Sequence, residues 1–176
     1  QRCADVVEAL LQRVAHPEIE AAAAWCRGSA LLALGQTEDA MVRLDEAHRC
    51  LQALGQGQRA AQCQIPKVVA LSLLGRHDEA LACGEQTRAD LLSSGDDVGA
   101  GKVEVNLGWM LMRRDRYEAA ATCFRRAAAR LARAGEPTHS IAADIGLASA
   151  LTWQFEFDEA SHLYDRCEMR VRALTL

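Results

Sequence analysis

The chain has 176 residues, half of them apolar and a quarter charged, with a formal net charge of −4. A helix that crosses a bilayer needs roughly 20 consecutive apolar residues, and no run in this sequence approaches that length. The first residues, 1–14, mix charged and aliphatic side chains, unlike a signal or transit peptide. The acidic balance argues against general nucleic-acid binding, for which a basic stripe is expected.

Three residue columns recur every 40 positions along the chain. One column is alanine, one is leucine and one is acidic: Ala40, Ala80, Ala120 and Ala160; Leu31, Leu71, Leu111 and Leu151; Glu38, Asp78, Glu118 and Asp158. A fixed period of this size is typical of solenoids, in which supersecondary units stack in a row. Because apolar residues within each unit are spaced by three or four, the sequence predicts an all-α solenoid of helix pairs.

In chain order, residues 1–15 are predicted to be the second helix of a truncated unit, because a shift of two periods aligns Cys3 with Cys83. Four units follow at 16–55, 56–95, 96–135 and 136–176, which gives about nine helices. Helices are predicted to end at Gly35, Gly55, Gly75, Gly95 and Gly135, with Asp115 in the equivalent place. Since the chain starts at Gln1, we expect a section of a longer protein.

Several positions carry local expectations. Thr37, and either Asp96 or Asp97, are candidate N-caps, and Pro66 should kink a helix or delay its start. A bulky column of Leu44, Phe124 and Tyr164 is expected to fill the space between hairpins. Gly84 stands in that column in the second unit, where we expect a local packing weakness of up to ~1 kcal/mol.

The potentially reactive side chains do not form a recognisable site. Seven cysteines occur without any Cys-x-x-Cys, and Cys3, Cys83 and Cys123 share one column, as small buried residues do in a repeat. We interpret them as reduced thiols of a cytosolic protein. The five histidines lack metal-ligand spacing. The sequence therefore predicts neither a metal nor a cofactor.

No catalytic motif is found. The segment 95–102 is rich in glycine and ends in lysine, but it lacks the serine or threonine, the glycine spacing and the preceding strand of a phosphate loop. Acid pairs such as Asp78 with Glu79 lie at helix starts, where they favour the positive end of the dipole. We therefore predict that the chain is not an enzyme and has no catalytic residues.

The third unit reads Asn106-Leu107-Gly108-Trp109, Leu111, Tyr117-Glu118-Ala119-Ala120, Phe124 and Ala127. This pattern resembles the tetratricopeptide repeat. The period of 40 rather than 34 residues is similar to the long-helix variety found in kinesin light chains, in scaffold proteins and in the helical arms of bacterial regulators. The resemblance implies a right-handed superhelix whose first helices line a concave groove.

By this resemblance, the groove would carry inward-pointing side chains from all four units. They are Trp25, Ser29, Ile65, Val69, Lys102, Val105, Trp109, Met112, Arg113, Ile145, Ser149 and Trp153. All three tryptophans of the chain are in this set, which favours an apolar partner such as an amphipathic helix. The alternative is that the tryptophans fill the core between repeats. A carboxylate clamp is not supported, because only Lys102 and Asn106 resemble one.

The third unit is also rich in arginine. One hypothesis is a patch that docks an acidic partner, formed by Arg125, Arg126, Arg130 and Arg133. The alternative is a solvated face without a partner. Separately, the apolar end faces of an isolated solenoid section would allow self-association through its ends.

Three functions remain open. The first is a cytoplasmic protein–protein interaction module or scaffold that binds a peptide, a helix or a neighbouring domain of the same polypeptide, without contacting nucleic acid or membrane. The second is a sensory, effector-binding arm of a bacterial regulatory protein. The third is a repeat section that precedes a protease-type domain.

Overall fold

The computed structural model describes residues 16–174, and within this range every regular element is an α-helix. The helices are α1 (Pro17–Ala33), α2 (Thr37–Ala53), α3 (Gly57–Gln62), α4 (Ile65–Leu73), α5 (His77–Ser93), α6 (Asp97–Met112), α7 (Tyr117–Arg133), α8 (Pro137–Trp153) and α9 (Phe157–Leu174). The all-α prediction is confirmed. The helix predicted within residues 1–15 lies outside the described residues.

The helices pack as successive antiparallel hairpins. Helix α1 packs on α2, the pair α3–α4 on α5, α6 on α7, and α8 on α9, and each hairpin also contacts the next one. Apolar residues of the helices are buried against neighbouring helices, and no hairpin encloses a core alone. The arrangement is therefore the predicted solenoid.

The loops between helices fall at a regular interval of 20 residues. Gly35, Gly55, Gly75, Gly95 and Gly135 all have φ between 70° and 77°, the left-handed conformation that commonly ends a helix. Two residues with side chains adopt the same conformation: Asp115 at φ 57° and Phe155 at φ 65°. The predicted helix ends are confirmed, and Phe155 adds one position that the sequence analysis did not single out.

The helix-start and proline predictions have mixed outcomes. Asp96 is the N-cap of α6, since its Oδ1 accepts a hydrogen bond from the Gly99 amide at 2.7 Å. The prediction for Thr37 is wrong, because the N-cap is Gln36 and no side chain caps α2. The effect of Pro66 is confirmed: the helix is interrupted after Gln62 and resumes as α4, with the proline in its first turn.

The core combines a buried alanine column with large side chains that fill the space between hairpins. The alanine column is buried, at 3% exposure or less at all four positions. Phe124 is fully buried, and its ring occupies the space beside Gly108 of its own hairpin and Gly146 of the next. Phe124 therefore fills the space between hairpins, as predicted. Tyr164, in the last described helix, is instead 41% exposed.

The packing weakness expected at Gly84 is not found. Gly84 is buried, and a Cβ atom added there would lie 2.6 Å from Cδ2 of Leu107. Leu107 comes from α6 of the next hairpin and is fully buried. The neighbouring leucine thus fills the volume that a bulky residue occupies in the other units.

Candidate functional site

The first helices of the hairpins form the more tightly spaced layer of the solenoid. Helices α1, α4, α6 and α8 contact one another in succession, whereas successive second helices approach each other less closely within residues 16–174. A layer with closer helix spacing lies on the inside of a curved stack, because curvature brings inner elements together. This inner layer carries the residues that were predicted to line the groove.

A pocket of about 360 Å³ opens where three hairpins meet on this layer. It is lined by Trp25, Gln62, Ile65, Asp96, Val98, Gly99 and Lys102. Three of the predicted groove residues, Trp25, Ile65 and Lys102, are thus brought together although 77 positions separate the first from the last. We call this site the inner pocket.

Asp96 holds one wall of the inner pocket in place. Its Oδ2 accepts a hydrogen bond from Nε2 of Gln62 at 2.6 Å, while its Oδ1 accepts one from the Gly99 amide. The side chain therefore links α3 to the start of α6. This leaves the Lys102 ammonium as the cationic group of a pocket whose other walls include an indole ring and two aliphatic side chains.

The predicted residues in the middle of the layer are partly incorporated into the core. Val105, Trp109 and Met112 pack against the main apolar cluster, and the Trp109 ring meets Phe124 edge-on at a centroid distance of 5.2 Å. Val69 is half-buried. For Trp109, this packing favours the hypothesis that the ring fills the core between repeats over the hypothesis that it lines an open groove.

The remaining predicted groove residues are dispersed. Arg113 donates a hydrogen bond to Oγ of Ser72 at 2.5 Å, Ser29 is exposed, and the Ser149 hydroxyl lies 3.0 Å from that of Tyr164. Ile145 is exposed at the surface of α8. Trp153 lies at the end of α8 and stacks on Tyr117, at a centroid distance of 5.6 Å.

The four arginines of the predicted acidic-partner patch are engaged within the chain. Arg126 and Arg130 each approach the Glu104 carboxylate at 3.5 Å, and Arg130 also pairs with Asp97. Arg125 lies 3.8 Å from Glu159, and Nε of Arg133 donates to the Ala129 carbonyl at 3.3 Å. The arrangement favours a structural role for Arg126 and Arg130, so an acidic partner would compete with internal carboxylates.

Sequence reasoning missed the buried carboxylate at the centre of this cluster. Glu104 is fully buried, and the guanidinium of Arg88 from α5 is a third cation near it, at 3.9 Å. Burial raises the pKa of the Glu104 carboxyl, an effect that the charges of Arg130, Arg126 and Arg88 partly offset. Neither carboxylate oxygen has a hydrogen-bond partner within the described part of the chain.

A signal for this cluster was present in the repeat. Forty residues after Glu104, Asp144 is also buried, and it pairs with Arg170 at 2.5 Å and Arg166 at 3.4 Å. These arginines lie 40 residues after Arg130 and Arg126. An acid on the first helix with two arginines on the second is therefore a column that recurs in two units.

Burial lowers the reactivity of several of the described cysteines. The six that the structure describes are free thiols, and burial raises the pKa of Cys63 to about 12. Burial also raises the pKa of Cys83 and Cys123, and a thiol that stays protonated is a poor nucleophile. Between residues 16 and 174, no three histidine, cysteine or carboxylate side chains are grouped to hold a metal ion.

Residues 105–139 match the sequence model of the tetratricopeptide repeat. The fold of the chain is a tetratricopeptide-like solenoid. The matched segment covers the second half of α6, all of α7 and the start of α8, the part of the chain on which the resemblance was based. No curated protein matches the chain.

Solved structures share the fold at low sequence identity. BtubC (BKLC) from P. vanneervenii superposes with a TM-score of 0.84 at 14% identity, over 99% of this chain and 74% of that one. A Rap protein complexed with Competence and Sporulation Factor gives 0.86 at 19% identity, over 94% of this chain but only 46% of the Rap chain. A putative kinesin light chain from Podospora anserina with nearly identical TPR-like repeats gives 0.72 at 18%, over 97% and 84%.

Within the described residues, 16–174, no helix combines the length and the apolar character needed to cross a bilayer.

Proposed function

We propose that this tetratricopeptide solenoid is a protein-interaction module that binds a peptide or helical segment of a partner protein in the inner pocket. The observation that carries the proposal is the convergence of Trp25, Ile65 and Lys102, from three hairpins, on one opening of about 360 Å³. Single-hairpin packing does not require these side chains to meet.

The chemistry of the pocket defines the segment that it would bind. Trp25, Ile65 and Val98 offer apolar surface, and tryptophan is enriched at energetically dominant contacts. The Lys102 ammonium offers a hydrogen-bond donor to a carboxylate or carbonyl of the ligand. The expected ligand is therefore a segment with an apolar anchor next to an acidic or amide side chain.

Preorganisation supports the same conclusion. Because Asp96 fixes the start of α6 against α3 through two hydrogen bonds, the pocket wall does not need to become ordered when the ligand arrives. Binding sites that are ordered in advance lose less conformational entropy on association.

A second candidate is the sensory arm of a bacterial regulatory protein. The likeness to the Rap protein favours it, since that structure contains Competence and Sporulation Factor and shares the fold over 94% of this chain. In this version the inner pocket binds a signalling ligand, and the bound state is passed to another domain. A cytoplasmic location is part of both proposals, whereas a role beside a protease-type domain has no observation in its favour.

A peptide selection with matched variants tests the primary proposal. Peptides selected from a random display library on the intact protein are titrated calorimetrically against wild type, Trp25→Ala, Lys102→Ala and Val42→Ala. Val42 is an exposed aliphatic residue on α2, away from the pocket. We expect affinity to fall about tenfold or more in the first two variants and to be unchanged in the third. Equal affinity for all four proteins would exclude the inner pocket as the binding site.

A further inference from the structure

The tip of the α8–α9 hairpin exposes three large aromatic side chains within five residues. Trp153, Phe155 and Phe157 are 61%, 79% and 58% exposed, respectively. We call these residues the aromatic tip. Contiguous exposed apolar residues are a common mark of interaction sites, whereas isolated ones are unremarkable.

The backbone of the aromatic tip is strained at Phe155. Phe155 has φ 65°, in the left-handed region, and the corresponding loop positions at 20-residue intervals hold glycine or Asp115. A bulky residue with a Cβ atom is disfavoured in this conformation. Strain of this kind is concentrated at functional sites. A phenylalanine that gains almost no burial in the chain has no packing reason to be there.

The neighbouring hairpin holds part of the aromatic tip in position. Trp153 stacks nearly parallel on Tyr117 of α7, with an angle of 10° between the rings, and Nε2 of Gln154 donates to the Tyr117 carbonyl at 3.3 Å. Phe155 and Phe157 meet edge-on at 6.0 Å. The aromatic faces are therefore presented by a supported loop rather than by a free chain end.

The surface next to the aromatic tip is acidic. A pocket of about 460 Å³ between the α6–α7 and α8–α9 loops is lined by Asp115, Arg116, Tyr117, Glu118, Ala119 and Gln154. Two more exposed carboxylates, Glu156 and Asp158, flank Phe157 in the sequence. Among residues 16–174, none of Glu118, Glu156 and Asp158 takes part in an ion pair. Four exposed carboxylates therefore lie in these two loops or at the helix starts that follow them. Arg116 also lines the pocket, whereas Arg113 and Arg114 of the same loop bind Ser72 and Asp78 of the preceding hairpin.

We propose that the aromatic tip is a second interaction surface, which binds a basic segment of a partner protein. Arginine or lysine side chains of the segment stack on the exposed rings and pair with the surrounding carboxylates, and its apolar side chains cover Phe155 and Phe157. The proposal is independent of the inner pocket, because none of the residues that line that pocket belongs to the tip.

The test uses Phe155→Gly, which removes the ring and relieves the backbone strain, so that loss of binding is not a consequence of unfolding. A library of short random peptides is first depleted on this variant and then selected on the wild-type protein. Recovered peptides are titrated against wild type, Phe155→Gly, Trp153→Ala and Leu34→Ala. Leu34 is 75% exposed at the tip of another hairpin and is the control.

We expect the recovered peptides to combine arginine or lysine with apolar residues. They should bind Phe155→Gly and Trp153→Ala about tenfold or more weakly than wild type, and Leu34→Ala equally well. The thermal unfolding midpoint of Phe155→Gly should be unchanged or higher. Failure to recover any peptide that prefers wild type over Phe155→Gly overturns the proposal, as does recovery of peptides that are not basic.

Discussion

Glu104 is a buried acid that interacts with arginines of two neighbouring hairpins. Its carboxylate is fully buried on α6, and arginines from α5 and α7 approach it at 3.5–3.9 Å. The cluster therefore connects two hairpins as well as the two helices of one. Removing one partner of a buried ion pair is costly, because the remaining charge loses its compensation. The recurrence of the arrangement at Asp144 indicates that it is a structural element of the repeat.

The buried carboxyl should make stability depend on pH. Its pKa is raised in the folded chain above the ordinary value of 4.5. The folded state therefore binds more protons than the unfolded state above pH 4.5, and stability contributed by Glu104 falls as pH rises through this window. Glu104→Gln lacks this titration. We predict that wild type loses stability relative to Glu104→Gln as pH increases from 4.5 towards neutrality.

Urea unfolding followed by circular dichroism at a series of pH values measures this difference. The difference in free energy of unfolding between wild type and Glu104→Gln should change by about 1.4 kcal/mol for every tenfold by which folding lowers the ionisation constant of the buried carboxyl. Glu118→Gln removes an exposed carboxylate instead, and its effect should stay within about 0.5 kcal/mol. A wild-type advantage that grows with pH would show that the arginines lower the pKa of Glu104 overall.

Phe155 gives a second prediction at this scale, on stability alone. The left-handed conformation costs a side-chain-bearing residue about 1–2 kcal/mol, whereas glycine adds about 0.5–1 kcal/mol of unfolded-state entropy. Phe155→Gly should therefore raise the free energy of unfolding by roughly 0.5–1 kcal/mol, measured by urea denaturation. The reciprocal change Gly135→Ala, at φ 74° with open space around it, should lower it. Destabilisation by Phe155→Gly would mean that the ring contributes packing energy.

At the scale of helices, α5 and α6 pack closely because a leucine of α6 occupies the space left by a glycine of α5. Gly84 lacks a side chain, and Leu107 fills the space so closely that an added Cβ atom would be 2.6 Å from its methyl group. The glycine costs helix propensity but allows the two hairpins to approach. This is why the weakness expected from the sequence is absent from the structure.

A double-mutant cycle tests this exchange. Gly84→Leu should destabilise by about 1–3 kcal/mol through overpacking, and Leu107→Ala by about 2–5 kcal/mol through loss of burial. The double variant should be more stable than the sum predicts, by at least about 1 kcal/mol. Leu91→Ala, a buried residue elsewhere on α5, should combine additively with Gly84→Leu. Simple additivity in the first pair would contradict the contact.

The sequence was a reliable guide to features determined within one helix or loop. Glycines at 20-residue intervals marked the helix ends because a left-handed residue is a local requirement, and Pro66 marked the break before α4 for an equally local reason. The resemblance to the tetratricopeptide repeat also placed Trp25 and Lys102 in one predicted set. It did not identify which side chains face each other across hairpins.

The arginines of α7 are an example of contacts that the sequence analysis did not identify. A run of like charges on α7 has the same spacing whether it faces solvent or a buried acid, so Arg126 and Arg130 could not be assigned to Glu104 from α7 alone. Trp153 is similar: its position was predicted for the groove, but the stacking on Tyr117 depends on how the α8–α9 loop meets the neighbouring hairpin.

For the whole molecule, the exposed apolar residues of α9 are relevant to self-association. Tyr164, Met169 and Leu174 are 41%, 65% and 52% exposed, and exposed apolar surface favours association. We predict reversible association of the chain in sedimentation velocity, weakened about tenfold by Met169→Glu. Val42→Glu, which adds the same charge on α2, should leave it unchanged. A monomer at every concentration measured would contradict the prediction of self-association.

The inner pocket is the feature on which the proposed function depends, and it is formed only when three hairpins stack in register. Helices α1, α3, α4 and α6 each contribute lining residues. A ligand bound there should therefore protect backbone amides in several hairpins at once. Binding to a single exposed helix would protect only that helix.

Hydrogen–deuterium exchange of the full chain, with and without a selected peptide, measures this directly. We predict reduced exchange on the inner layer near Trp25, near Gln62 and at the start of α6 around Gly99, with little change on α2 and α7. Protection confined to α2, α5 or α7, with none around the inner pocket, would contradict the assignment of this pocket as the partner-binding site.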